Sequence, residues 1–205
     1  MIGKLLPTIL LLACVVAPSF AADGKSISYK SGDDTVNGML FTPAGKGPFP
    51  AVIVIHEYRG LNDWVKEQAS KLAGQGYVAL AIDLYRGKVA HNPDLAHELM
   101  RGLPQDRANR DLQSAFNYLS AQSNVKKDRI GSIGWCMGGG YSLDAALHEP
   151  KLAATVINYG HLITDSAEMR RSTHLSSGIL VDRTRHHFRR RQEISASDGE
   201  RRQES

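Results

Sequence analysis

The 205-residue sequence predicts an α/β fold built on a mainly parallel sheet flanked by helices, and three observations carry that prediction. Short apolar runs recur at 51–55, 77–82, 130–135 and 153–158, rich in aliphatic and β-branched residues. Continuous runs of this kind fit strands covered on both faces. Stretches with apolar residues at helical spacing stand between several of them, so strand and helix alternate, as parallel strands joined by right-handed crossovers require. The length and a 42% apolar, 22% charged composition suit one globular domain, and a second full domain is not expected.

The amino end reads as a leader. Lys4 precedes an apolar stretch over 5–16, and small residues follow at Ala21 and Ala22. Residues 1–21 are therefore expected to be a secretory signal cleaved after Ala21, which places the mature chain in the periplasm or outside the cell. Two alternatives stay open: an uncleaved anchor, although the run is shorter than the ~20 apolar residues of a membrane span, and a lipoprotein with its lipid anchor on Cys14. Loss of the leader leaves Cys136 as the one cysteine, so no internal disulfide can form. A lone thiol in an oxidising compartment is vulnerable unless it is buried or used.

Alternating runs at 26–30 and 35–42 around Ser31-Gly32-Asp33-Asp34 predict an antiparallel hairpin, followed by a turn-rich connection over 43–50. Trp64, Val65, Ala69, Leu72 and Ala73 recur at helical spacing after the first core strand, with Gly74 and Gly76 ending the pattern. A second helix is predicted over 106–121, its apolar face formed by Ala108, Leu112, Ala115, Phe116 and Leu119. No internal repeat is present.

The chemistry is concentrated in Gly134-Trp135-Cys136-Met137-Gly138, where a strand runs straight into a helix containing Leu143, Ala146 and Leu147. The pattern is that of a nucleophile elbow with cysteine in the serine position. So sharp a turn crowds the residues two places on either side of the nucleophile, and glycine removes the obstruction. The turn would lift the thiol to a helix amino terminus, where unpaired N–H groups favour an anionic sulfur and can stabilise an oxyanion. The bland alternative is a buried cysteine acting as a small hydrophobe beside glycines that permit close helix packing.

With His56-Glu57-Tyr58-Arg59-Gly60-Leu61-Asn62 after the first core strand and Asp83-Leu84-Tyr85-Arg86 after the second, the chain over roughly 27–170 resembles the dienelactone hydrolase family of the α/β-hydrolase superfamily. The resemblance implies ester or lactone hydrolysis by a Cys-His-Asp triad, with Cys136 as nucleophile and Glu57 beside the resting thiol. It implies an oxyanion hole made by the Tyr58 and Met137 N–H groups. Arg86 falls where related enzymes place a cation for an anionic substrate, and Tyr159 falls near the same rim. Either could instead be structural, Arg86 as a solvated strand-end charge and Tyr159 as a core-edge residue.

The carboxyl end departs from that pattern. Triad acid and base should follow the nucleophile by two strand-helix units of about 30 residues each, yet 45 residues follow Gly160. Residues 1–169 hold ten Lys and six Arg, whereas 170–205 hold nine Arg and no Lys. Residues 26–169 are thus expected to form the α/β domain, incomplete at its carboxyl end. Residues 170–205 are expected to be a disordered Arg-rich tail, of the kind that truncation or a shifted reading frame produces. One weak strand can be drawn over 176–181; Asp182 after it, with His186 or His187, could be nominated as triad acid and base. Nothing indicates a metal or organic cofactor, and export makes nucleic acid an improbable partner for the basic run. Two functions compete: a cysteine hydrolase acting on small esters or lactones, and a catalytically inactive fragment that binds small carboxylates.

Overall fold

The computed structural model describes residues 23–160 and 179–182. The expected leader with Cys14, His186, His187 and nearly all of the Arg-rich tail lie outside the described residues. The chain order is β1 (Gly24–Ser31), β2 (Asp34–Phe41), β3 (Phe49–Ile55), α1 (Asp63–Gly74), β4 (Val78–Ile82), α2 (Pro93–Arg101), α3 (Gln105–Ser120), β5 (Val125–Trp135), α4 (Met137–His148), β6 (Ala154–Asn158) and β7 (Ile179–Asp182).

These seven strands form one sheet in the order β1-β2-β4-β3-β5-β6-β7. The hairpin β1-β2 joins β4 antiparallel, and every pairing from β4 to β7 is parallel. The continuous apolar runs are explained by burial on both faces. Ala51, Ile53 and Ile55 of β3 and Val78, Leu80 and Ile82 of β4 enter one core with Leu112, Phe116 and Leu119 of α3 and Tyr141, Ala145 and Ala146 of α4. The intervening Val52, Val54, Ala79 and Ala81 enter a second core against Val65, Ala69 and Ala73 of α1. Full burial of each large aliphatic side chain contributes about 1.5–3 kcal/mol, which makes β3 and β4 the stable centre of the molecule.

Two helices start at side-chain caps: Asn62 accepts the Val65 N–H at 3.1 Å, and Asn92 accepts the Leu95 N–H at 2.9 Å ahead of Pro93. The second of these begins α2, an element absent from the sequence reading although its cap and its proline were visible. The weak strand predicted over 176–181 is realised as β7, parallel to β6, with Asp182 in register with Asn158.

The parallel strands deliver their carboxyl ends to one edge of the sheet, where α/β proteins place their ligands. That edge receives His56 and Glu57 from β3, Asp83 from β4, Cys136 from β5 and Tyr159 from β6.

Candidate active site

Cys136 lies between the last residue of β5 and the first of α4, with φ 54° and ψ −119°. A side-chain-bearing residue in that region stores about 1–3 kcal/mol of strain, which the surroundings must offset. Its own N–H donates to the Asn158 carbonyl at 3.0 Å, its carbonyl accepts from the Gly139 N–H at 3.0 Å, and Asn158 Nδ2 donates to the Gly134 carbonyl at 3.1 Å. The glycines are sterically required. A Cβ on Gly134 would overlap the Gly138 carbonyl, and one on Gly138 would meet the carbonyl oxygens of Ile55 and His56. Beneath the bend, Ser132 Oγ contacts Ser142 Oγ at 2.8 Å and Thr155 Oγ1 at 2.7 Å, fastening α4 to β5 and β6. The thiol is half-buried and not in a disulfide.

Tyr58 and Met137, whose N–H groups the resemblance implies as the oxyanion hole, are both reached by the Tyr85 hydroxyl. Met137 opens α4, so its N–H has no intrahelical acceptor and lies at the positive end of the helix dipole. Tyr58 belongs to the turn after β3, closed by the Gly60 N–H donating to the Glu57 carbonyl at 3.1 Å. The Tyr85 hydroxyl lies 3.2 Å from both the Tyr58 carbonyl oxygen and Met137 Sδ, connecting the two donor-bearing residues. Burial pushes the Tyr85 phenol well above its ordinary range, and Tyr141 and Cys136 act in the same direction, so it stays a neutral donor.

His56 is fully buried under this turn. Its Nε2 lies 3.2 Å from the Leu84 N–H, and its Nδ1 lies 2.7 Å from the Glu57 carbonyl oxygen. Since a backbone N–H can only donate, Nε2 must be the unprotonated acceptor and Nδ1 must carry the proton. Burial lowers the pKa of the ring from its ordinary 6.5, with the Glu57 carbonyl and the Asp83 carboxylate pulling the other way, so the imidazole is neutral. Asp83 ties the next turn together: Oδ1 accepts from the Tyr85 N–H at 2.9 Å and Oδ2 from the Gly87 N–H.

Of the residues expected to act, Cys136, Met137, Glu57, Tyr58 and Tyr159 come to the same sheet edge. The Tyr159 hydroxyl donates to Glu57 Oε1 at 2.7 Å, from a backbone position with φ 41°. Tyr159 therefore engages the carboxylate that the family resemblance implies lies beside the thiol.

Arg86 is held by two acidic side chains. Its guanidinium makes a two-pronged contact with Asp111, at 2.7 and 3.0 Å, and reaches Asp34 at 3.5 Å. The Asp111 bond raises the guanidinium pKa further, ahead of opposing desolvation. The cation expected to meet an anionic substrate thus neutralises a fully buried carboxylate of α3 and the hairpin acid. Asp111 was missed from sequence, although a carboxylate three residues after Ala108 and four before Ala115 sits on the apolar stripe of α3 and so required a charged or hydrogen-bonding partner. Asp182 stands at the end of β7, two strands from β5, while His187 lies outside the described residues.

Among the described residues no cluster of three or more His, Cys, Asp or Glu could hold a metal ion, and no helix is long and apolar enough to cross a membrane.

Residues 36–185 match the model of the dienelactone hydrolase family. A protein of Methylorubrum extorquens, provisionally named a carboxymethylenebutenolidase, is 32% identical over 142 residues, covering 67% of this chain and 49% of the relative. One from Bradyrhizobium, provisionally named a 2-oxo-3-(5-oxofuran-2-ylidene)propanoate lactonase, is 35% identical over 128 residues, covering 60% and 50%. The matched region therefore spans about half the length of these relatives. A crystal structure of a dienelactone hydrolase-like promiscuous phosphotriesterase from metagenomic libraries superposes with TM-score 0.70 at 30% identity, covering 79% of this chain and 68% of that one.

Proposed function

The chain belongs to the dienelactone hydrolase family, and we propose that it attacks the carbonyl of a small carboxylic ester or lactone with the sulfur of Cys136. The sulfur forms a bond to the carbonyl carbon, and the carbonyl electrons move onto oxygen, where the N–H groups of Tyr58 and Met137 stabilise the charge. Collapse of this intermediate breaks the C–O bond to the leaving alkoxide, which takes up the proton lost by the thiol and leaves a thioester. Glu57, held by Tyr159, is the group that manages that proton. Water then cleaves the thioester to a carboxylic acid and restores the thiol. This last step needs a base and an acid to orient it, for which His186 or His187 and Asp182 are the nominees.

The observation that carries the proposal is the strained backbone of Cys136 itself, supported on glycines 134 and 138 at the first turn of α4. Strain of this kind persists only where the surroundings enforce it, and it gathers at reacting groups. The names of the two curated relatives, a butenolidase and a lactonase, favour a lactone among esters. Export to the periplasm or beyond is part of the same proposal, and cell fractionation tests it.

Release of nitrophenol from 4-nitrophenyl acetate, followed beside alkylation by iodoacetamide, tests the chemistry. The expected result is stoichiometric release by the intact chain and none by the Cys136→Ala variant, with alkylation confined to Cys136. A chain inert to both reagents overturns the nucleophile role. Alkylation without acylation overturns the ester-cleaving role.

A further inference from the structure

We propose that His56 is a positioning residue for the oxyanion hole, aiming the Tyr58 N–H by clamping the carbonyl of the same peptide group. This rests on the proposed attack by Cys136 and on the Tyr58 N–H as a donor. In a trans peptide the C=O and the N–H point in opposite directions from one rigid plane, so whatever fixes one aims the other. The Glu57 carbonyl and the Tyr58 N–H share one such plane. His56 Nδ1 grips that carbonyl at 2.7 Å, and the Gly60 N–H grips it again at 3.1 Å. Two donors on one carbonyl also polarise the amide, which strengthens its N–H as a donor.

The clamp is itself anchored. The Leu84 N–H holds Nε2 and thereby fixes both the tautomer and the ring orientation, and the Tyr85 ring packs edge-on at 4.7 Å between centroids. The imidazole is completely buried, so water does not compete for Nδ1. The carbonyl of His56 borders the space that a side chain on Gly138 would fill, so the clamped turn abuts the first turn of the nucleophile helix. A strand-end histidine reaching from β3 to the loop after β4 thus transmits the rigidity of the central sheet to the Glu57–Tyr58 peptide plane.

Acylation and alkylation of the same thiol separate this role from a merely structural one. Attack on an ester develops an oxyanion, whereas displacement of iodide from iodoacetamide does not. An asparagine at position 56 can keep an N–H near the place of Nδ1, and a glutamine can keep an acceptor near the place of Nε2. For His56→Gln, the acylation rate with 4-nitrophenyl acetate is expected to fall ~100-fold, as for loss of an oxyanion donor. Alkylation of Cys136 should stay near the rate of the unaltered chain. For His56→Asn, most of the acylation rate should return. Equal loss of acylation and alkylation in both variants, or an unchanged acylation rate in His56→Gln, would overturn the inference. Failure of the unaltered chain to acylate instead refutes the underlying nucleophile reading. The tautomer gives a check needing no variant: in 15N-histidine-labelled protein, His56 should show a protonated Nδ1 and a bare Nε2, and the reverse tautomer would overturn the clamp.

Discussion

Replacing Arg86 by methionine distinguishes a cation that holds the fold from one that receives substrate. The structure places both guanidinium prongs on Asp111, a carboxylate with 0% exposure, while Arg86 keeps 24% side-chain exposure. Methionine retains much of the aliphatic packing and removes the charge, stranding a buried carboxylate without its cation. Breaking a buried pair from one side costs about 3–5 kcal/mol, a large part of the 5–15 kcal/mol typical of a domain. The thermal midpoint should drop by roughly 6–20 °C, at about 2–4 °C per kcal/mol for a chain of this size. Urea unfolding monitored by tryptophan fluorescence measures the loss directly. The double variant Arg86→Met/Asp111→Leu should recover most of it, because removing both partners leaves no uncompensated charge. If Arg86→Met instead unfolds like the unaltered protein but discriminates less between anionic and neutral esters, the structural assignment is wrong and Arg86 belongs to the substrate site.

Other consequences are open to measurement. His56 is neutral and buried in the folded chain, with its pKa lowered, whereas the unfolded chain protonates it near 6.5. Below that pH the unfolded state binds the extra proton, so stability should fall with acid at up to ~1.4 kcal/mol per pH unit; His56→Asn should flatten this part of the urea-derived stability profile. Gly138→Ala should cost about 3 kcal/mol or more in a thermal melt, since the added methyl meets two carbonyls of the β3 end. Tyr159→Phe removes the hydroxyl that donates to Glu57. It should lower stability by about 1–2 kcal/mol while leaving the far-ultraviolet circular dichroism unchanged.

The central sheet was legible because its signals are local. Runs such as 78–82 are apolar on successive residues, which a half-exposed strand does not tolerate, and β4 is buried on both faces. The elbow was legible for the same reason: Gly134 and Gly138 flank Cys136 within one turn of chain. What escaped depends on long-range contacts or on short elements. Helix α2 has nine residues and buries Ala96 alone, so it was passed over as a short segment despite its Asn92 cap and Pro93. The destination of Arg86 is set by Asp111, 25 residues away, which only the packing of α3 beside the hairpin brings near. The ring of His56 spans 28 residues to the Leu84 N–H, and no sequence pattern announces that contact.

The most direct test of the account is the site of acyl transfer. The protein is mixed with an activated ester, quenched in acid, digested, and its peptides are mapped by mass spectrometry. One acyl group should reside on the peptide containing Cys136, as a thioester that hydroxylamine removes. Acyl groups scattered over lysines, with the Cys136 peptide unmodified, would contradict the account.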